Sequence, residues 1–307
     1  MNLDPNIALT ENYRAAMREK IIADFIGIDR YLQTPAAFEA TIEDHVDRRF
    51  TSFKDSVLPW LKRHVGLTDQ RIVEIGSGTG ASTLAVLPEI SHVTCFDLDA
   101  PAIGVADFRL RLAGYSNFTL HPTTFTADCA TSAGHVDGVF MAAVLEHATF
   151  TECIDVLRNA WSAVRPGGWI CIVDTPNRFS AIDHHTALLP FFSMLPPEVR
   201  MAYAPRSPRQ DFAAAFPSAD TRTFDARLES LTRWGAGISY HEFEIALGED
   251  VHNHIVADGY EPEIQRLIGI LPEDTFCQLQ LNVFARHVNR AFSRRAFYLI
   301  IRKPDPE

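Results

Sequence analysis

The sequence predicts an α/β fold whose mostly parallel sheet carries helices on both faces. Three observations predict it. From residue 71 short β-branched runs alternate with helical stretches, a glycine-rich turn joins the first run to the first helix, and "AFYLIIRKP" (296–304) closes the chain as a last strand. Strands separated by helices pair in parallel through right-handed crossovers.

The elements follow in order. Residues 9–67 read as helices, "ENYRAAMREKIIADFIGIDRYL" and then "PAAFEATIEDHVDRRFTSFKDSVLPWLKRHVG". Apolar residues recur there every three or four positions, and Pro35, Pro59 and Gly66 punctuate the segment. "RIVEI" (71–75) is the first strand, followed by the glycine turn and a helix that Pro88 closes. "HVTCFDL" (92–98) is the second, with the helical "APAIGVADFRLRLAG" after it, and "NFTLH" (117–121) is the third. "VDGVFMAAVL" (136–145) is the fourth, followed by the helix "TECIDVLRNAWSAV" and the stop "RPGG". "WICIVDT" (169–175) is the fifth. Residues 177–237 are rich in Pro, Phe and Arg and read as an insertion with one helix, "TRTFDARLESLTRWG". "ISYHEFEIAL" (238–247) reads as the sixth strand, 249–293 as two helices and 296–304 as the seventh strand. The expected organisation is a helical cap (1–66), a nucleotide-binding core (67–180), a lid insertion (181–237) and a C-terminal completion of the sheet (238–307).

Composition narrows the function. With 47% hydrophobic and 22% charged residues the 307-residue chain can bury a sizeable core. A formal charge of −11 argues against nucleic acid, whose phosphates need clustered Lys and Arg. The one basic cluster, "HVNRAFSRRAF" (287–297), reads as a solvated helix face. Five cysteines (Cys95, Cys129, Cys153, Cys171, Cys277) form no C-x-x-C pair, the start of the chain has no apolar leader, and no run is long enough to span a membrane. A reduced cytoplasmic protein without a membrane partner is expected; a homodimer is compatible with the sequence.

In open α/β sheets ligands bind beyond the carboxyl ends of the strands, where strand order reverses. That rule selects Glu74 and Gly76–Gly80, Asp97 and Asp99, Leu145, Glu146 and His147, and Asp174, Thr175 and Asn177. The turn has two readings. As G-x-G-x-x-A it is a variant of the dinucleotide fingerprint of an NAD(P)-dependent oxidoreductase; as E-x-G-x-G-x-G, counting Glu74, it is the loop that holds S-adenosylmethionine. In either case glycines let the backbone approach a ligand, and Asp97, 21 residues beyond Gly76, can accept both ribose hydroxyl protons.

Three features favour the second reading. Glu74 has no role in the dinucleotide fingerprint, whereas an amino-acid ammonium needs an acceptor. Asp128, followed by Cys129, is placed to accept from an adenine amino group. Finally, "VEIGSGTG", "FDLD", "ADC" and "VLEH…RPGG" together resemble the motifs of class I S-adenosylmethionine-dependent methyltransferases over roughly residues 50–180. The resemblance implies a Rossmann-like three-layer sandwich of seven strands with an antiparallel last strand. It also implies that S-adenosyl-L-methionine is bound and S-adenosyl-L-homocysteine released. By the same resemblance Gly76, Ser77 and Gly78 line the methionine portion with support from Glu74, Asp97 binds the ribose, Asp128 binds the adenine, Val144–Glu146 lie beside the sulfonium, and Gly80, Leu98 and Cys129 complete the cofactor site. Asp99 stands where a Ser or Thr is usual.

A methyl sulfonium is already activated, so the protein must place the acceptor in line and exclude water, and a hydroxyl acceptor also needs a base. Candidate bases are His147 after the fourth strand, His184 and His185 in "SAIDHHTALLPFF" (180–192), and His241 in "SYHEFE". Strand alternation would bury His241 beside the sheet, with Phe191 and Phe192 walling the acceptor pocket. His252-x-His254 with Asp183 and His241 would supply metal ligands, but no H-E-x-x-H spacing exists and no metal is expected. The expected activity is methylation of an oxygen, or next a nitrogen, of a small-molecule acceptor, as in secondary metabolism; a protein that binds the cofactor without methylating is the other outcome.

Overall fold

The structure, a computed structural model, describes residues 10–26 and 35–305. The end of the first helix reading (27–32) and most of the leader reading lie outside the described residues. The strands are β1 (Arg71–Ile75), β2 (His92–Phe96), β3 (Phe118–His121), β4 (Val136–Ala142), β5 (Val164–Pro176), β6 (Ile255–Ala257) and β7 (Ala296–Arg302). They form one seven-stranded sheet in the order β3-β2-β1-β4-β5-β7-β6, so strand order reverses between β1 and β4. Ile72 aligns in parallel with Val93 and Gly138, and Val93 with Phe118. β7 runs antiparallel to β6. This is the Rossmann-like sandwich that the sequence predicts.

The chain falls into two compact units, Met1–Ala142 with Ala163–Trp169, and Ala143–Ser162 with Ile170–Glu307. In the first unit Thr10 caps the helix Glu11–Asp24, which buries Tyr13, Met17 and Ile21, one per turn. The run from Pro35 to His64 is helical throughout but contains two π-helical turns, Asp44–Arg48 and Phe53–Val57. Such turns shift the backbone hydrogen bonds by one residue and free carbonyls. Arg109, fully buried, uses them: Nη1 donates to Val46 O at 3.3 Å, Nη2 to His45 O at 2.5 Å and Nε to Thr79 O at 2.7 Å. One guanidinium thereby joins the helical cap to the glycine turn. In the strands Val73, Val93, Val139 and Phe140 are fully buried, and Trp169 occupies the space that a Cβ at Gly138 would fill.

The second unit corrects three expectations. Residues 177–237 contain, besides the expected helix Phe224–Trp234, the helices Pro197–Tyr203 and Gln210–Ala215. These close on a small core of their own. Phe212 lies 5.8 Å from Phe192, 5.2 Å from Phe216 and 5.5 Å from Trp234. Phe192 is therefore core rather than pocket wall, while Phe191 is exposed.

Residues 238–247 are not a strand. Ser239 accepts the amide of Glu242, whose carboxylate returns to the Ser239 N–H at 3.0 Å, and this capping box starts the helix Tyr240–Leu247. The sixth strand lies further on, at β6. His241 is consequently exposed on a helix, stacked on Tyr240 at 3.9 Å, not buried against the sheet.

The basic cluster is not a solvated helix face either. Arg294 and Arg295 reach the fully buried Asp274 at 3.3 and 3.0 Å, and Arg290 pairs with Asp258. A buried carboxylate needs such partners, and the arginines spend their charge inside the chain. No described helix is long and apolar enough to cross a membrane.

Candidate active site

In the first unit the turn after β1 forms a cradle. Gly76, Gly78 and Gly80 all have positive φ, 75°, 51° and 76°. A Cβ on Gly80 would lie 3.0 Å from Ala106 Cβ, so glycine is required there for packing. At Gly78 the reason differs, because a Cβ would meet nothing within 4 Å and would project into open space. Gly76 N–H donates to Phe96 O at 2.7 Å, and Gly78 N–H to Asp97 Oδ2 at 2.7 Å. Asp97 Oδ1 also accepts from Asp99 N–H at 2.8 Å. Burial raises the Asp97 pKa against these amides. Asp99 acts elsewhere, since its Oδ1 accepts from Ala102 N–H at 3.2 Å and caps the helix Ala100–Leu112. Asp97 is thus the acid that faces the turn.

Glu74 is buried beneath the cradle and is not open to a ligand ammonium. Its carboxylate accepts from Ser82 Oγ and from Thr83 Oγ1 at 2.5 Å, both on the wholly buried helix Ala81–Val86. Burial raises its pKa despite those hydroxyls. Glu74 therefore anchors the helix Ala81–Val86 that follows the turn.

Ser77 Oγ, in contrast, is buried in the turn without a hydrogen-bond partner of its own. An orphaned hydroxyl, an open space above Gly78 and a carboxylate at Asp97 fit a polar ligand with an amino-acid tail and a ribose. Beyond them Leu98 is 71% exposed, which is unusual for a leucine between two acids. Asp128 and Cys129 lie in the first turn of the helix Ala127–Ala133, capped by Thr126. They line a cavity of about 530 Å³ with Phe96, His121 and Thr123, where Phe96 and His121 stack at 4.8 Å. Aromatic walls beside an acid suit a nucleobase.

In the second unit a turn carries Val144 into the short helix Leu145–His147. Ala143, which opens it, has φ 53° and donates to Val173 O at 2.9 Å; Asp174 in β5 has φ 57°. Non-glycine residues held in this region mark sites that the surrounding structure over-determines. Glu146 is fully buried, and neither of its oxygens makes a hydrogen bond of ordinary geometry. Burial pushes its carboxyl up to about 8, with the Asp174 charge adding to the effect.

Two histidines face Glu146: His147 Nε2 is 3.8 Å and His185 Nε2 is 3.7 Å from its Oε1. The ring of His185 packs on Gly235, where a Cβ would fall 2.6 Å from it. The neighbouring His184 turns away and pairs with Glu273 at 2.6 Å. Of the four candidate histidines, the fold brings His147 and His185 together and leaves His184 and His241 apart. The metal ligands considered from sequence do not converge. His252 bonds Glu244, His254 bonds Asp250, and Asp183 accepts the amides of His185, Thr186 and Ala187.

Arg109, Gly235 and the hydroxyl of Thr186 escape sequence reasoning. A lone Arg inside an apolar helix face is the only available signal for the first, and the other two matter only through tertiary contacts.

A mostly parallel sheet in this order, with an acid-clamped glycine cradle after its first strand, defines the class: a Rossmann-like α/β fold. Residues 73–170 match the family model for a methyltransferase domain. The ubiquinone biosynthesis O-methyltransferase of Aromatoleum aromaticum is 30% identical over 129 residues, 40% of this chain and 52% of that protein. Its counterpart in Paraburkholderia xenovorans is 29% identical over 113 residues, 37% of this chain and 47% of that one. The chain thus spans about half the length of the curated relatives it matches. Among solved structures, magnesium protoporphyrin IX methyltransferase from Synechocystis PCC 6803 with bound SAM is 20% identical, covering 54% of this chain and 77% of that one at a TM-score of 0.39.

Proposed function

We propose that this chain transfers the methyl group of S-adenosyl-L-methionine to an oxygen, or next a nitrogen, of a small-molecule acceptor and releases S-adenosyl-L-homocysteine. The observation that carries the reading is the cradle of Gly76–Gly80 clamped by Asp97 inside the stretch that matches a methyltransferase domain. The cofactor supplies an activated methyl electrophile. Ser77 Oγ and the amides of the turn take its amino-acid end, Asp97 its ribose hydroxyls, and Leu98, Asp128 and Cys129 its adenine. Glu74 and Arg109 hold the turn rigid from below and behind.

The names of the relatives, O-methyltransferases of quinone biosynthesis, favour an oxygen acceptor. A hydroxyl is protonated at neutral pH, and its proton must be removed or its oxyanion stabilised. We assign that role to the cluster of Glu146, His147 and His185. Acceptor recognition falls to residues 181–237 and their surroundings. One cavity of about 230 Å³ has His185, Asp183 and Asn177 in its wall, and another of about 560 Å³ combines Phe150, Met194 and Leu195 with Arg178 and Arg200. An apolar acceptor with an anionic group suits the second lining.

Isothermal titration with S-adenosylhomocysteine tests the cofactor half, and S-adenosylhomocysteine release from S-adenosylmethionine with a panel of phenols and hydroxy acids tests the rest. Saturable binding that Asp97→Ala weakens at least about tenfold is expected. Absence of binding, or binding indifferent to that change, overturns the reading.

A further inference from the structure

Arg200 lines the cavity of about 560 Å³ in the second unit. Its Nε is buried without an acceptor, and among the described residues its side chain has no hydrogen-bond or ion-pair partner. A charged donor left in that state destabilises the fold, and the cavity beside it is where an acceptor can enter.

The charges around Arg200 do not answer it. The Asp183 charge favours the guanidinium, but both Asp183 oxygens are taken. Oδ1 accepts the amides of His185 and Thr186 at 3.1 and 2.9 Å, and Oδ2 accepts that of Ala187 at 3.0 Å. Arg178, also in the lining, is already matched: Nη2 pairs with Glu242 and Nε donates to Gly237 O at 3.0 Å. The other Glu242 oxygen takes the Ser239 N–H and hydroxyl at 3.0 and 2.7 Å. With Arg178 and Glu242 cancelling, the lining keeps one positive charge in excess. Burial lowers the Arg200 pKa and the Arg178 charge lowers it further, so an incoming anion restores what burial takes away.

The rest of the lining is largely apolar. Phe150, Met194 and Ile245 are 59, 42 and 51% exposed, and all three converge on this cavity beside Pro196 and Pro197. Large apolar side chains gathered around one concavity suit a ligand with an apolar body. The cationic wall is fixed from behind. Arg200 lies in the helix Pro197–Tyr203, whose Met201 is buried in the core of Phe212, Phe216 and Leu231.

We infer that Arg200 is a carboxylate anchor and that this cavity takes an aromatic acid with a single carboxylate. A planar guanidinium receives a carboxylate through two parallel N–H···O bonds. One excess positive charge matches one carboxylate, whereas a phosphate monoester brings about two negative charges and leaves one unmatched. Resting on the function proposed above, the acid is the methyl acceptor. Ala236, in the lining, donates its N–H to Glu146 O at 2.8 Å, and Ser193 lines both this cavity and the one that contains His185. The acid site thus adjoins the turn that carries Glu146 and His147.

The test is calorimetric titration of the full chain, with and without S-adenosylhomocysteine. The probes are 4-hydroxybenzoate and 4-hydroxycinnamate, each beside its methyl ester, and phenyl phosphate. Saturable binding of at least one acid is expected, with its ester and phenyl phosphate about tenfold or more weaker. Arg200→Gln should erase the advantage of acid over ester, and Arg200→Lys should restore part of it. Should Arg200→Gln lose its thermal transition, the wild type decides, since the bound acid must protect Arg200 from phenylglyoxal as mapped by mass spectrometry. The inference is overturned by no acid binding, by esters or phenyl phosphate as tight as the acids, by an advantage that survives in folded Arg200→Gln, or by no protection. The two proposals separate at the cofactor. Acid binding at Arg200 without S-adenosylhomocysteine binding overturns only the methyl transfer, and S-adenosylhomocysteine binding without preference for acids overturns only the anchor.

Discussion

Gly78 N–H donates to Asp97 Oδ2 at 2.7 Å, so the acid that ends the second strand holds the turn that follows the first. Loss of this acceptor frees the turn and, on the proposed function, removes the ribose partner with it. Asp97→Ala should weaken S-adenosylhomocysteine binding by at least about tenfold, as one or two charge-assisted hydrogen bonds are lost. Asp97→Asn, which keeps a single acceptor, should fall between. Calorimetric titration of the three proteins checks the order.

Arg109 satisfies three buried carbonyls, those of His45, Val46 and Thr79. Arg109→Met should destabilise the protein by about 3 kcal/mol or more, because buried acceptors lose their donors. Arg109→Lys, a point donor in place of a planar fork, should recover only part. Urea unfolding gives the stabilities, and a parallel loss of S-adenosylhomocysteine affinity would show the Thr79 link.

The cysteines report on the cradle. Burial pushes Cys153 up to about 12 and Cys277 to about 11, and holds Cys95 and Cys171 well above the ordinary thiol range. Cys129, part-exposed beside Asp128, should be the one thiol that reacts quickly with Ellman's reagent. Saturating S-adenosylhomocysteine should slow it. Equal rates with and without the ligand would remove Cys129 from the adenine site.

Arg233, whose carbonyl orients His147, is itself held by Glu152 through two bonds of 2.8 and 2.9 Å. The Arg233 hydrogen bonds hold the Glu152 carboxyl at about 2, below its ordinary 4.5. A depressed acid stabilises the fold above its unfolded value and loses that contribution as pH falls. Because Glu152 is half-exposed, the effect is screened to roughly 1 kcal/mol or less. The melting-temperature difference between the wild type and Glu152→Gln should be present at pH 6 and shrink between pH 4.5 and 2, faster in high salt.

Asp274 is the buried partner of Arg294 and Arg295 and also accepts the Leu271 amide at 2.8 Å. Asp274→Ala strands two cations and should cost about 3–5 kcal/mol in chemical denaturation. A cost near zero would mean that the arginines find water on their own.

The parallel strands, the glycine turn and Asp97 are legible because each rests on a short-range rule: β-branched runs, positive φ, and an acid at a strand's carboxyl end. The helix Tyr240–Leu247 reads as a strand although its start signal, Ser239-x-x-Glu242, stands in the sequence. Strand-like alternation over "SYHEFE" outweighs, on the page, a capping box that local hydrogen bonds enforce in the chain. The basic run 287–297 misleads for the opposite reason. Whether Arg294 meets water or Asp274 depends on a residue twenty positions away.

By itself, then, the sequence determined the class of sheet, the glycine turn with its acid and the short list of histidines, all of them consequences of local periodicity and backbone stereochemistry. Only the tertiary structure decided that Glu74 lies under the cradle, that Arg109 joins cap to turn, and that His147 and His185 meet at Glu146. Those outcomes depend on which distant donors and acceptors become mutually buried, and burial is a property of the packed chain.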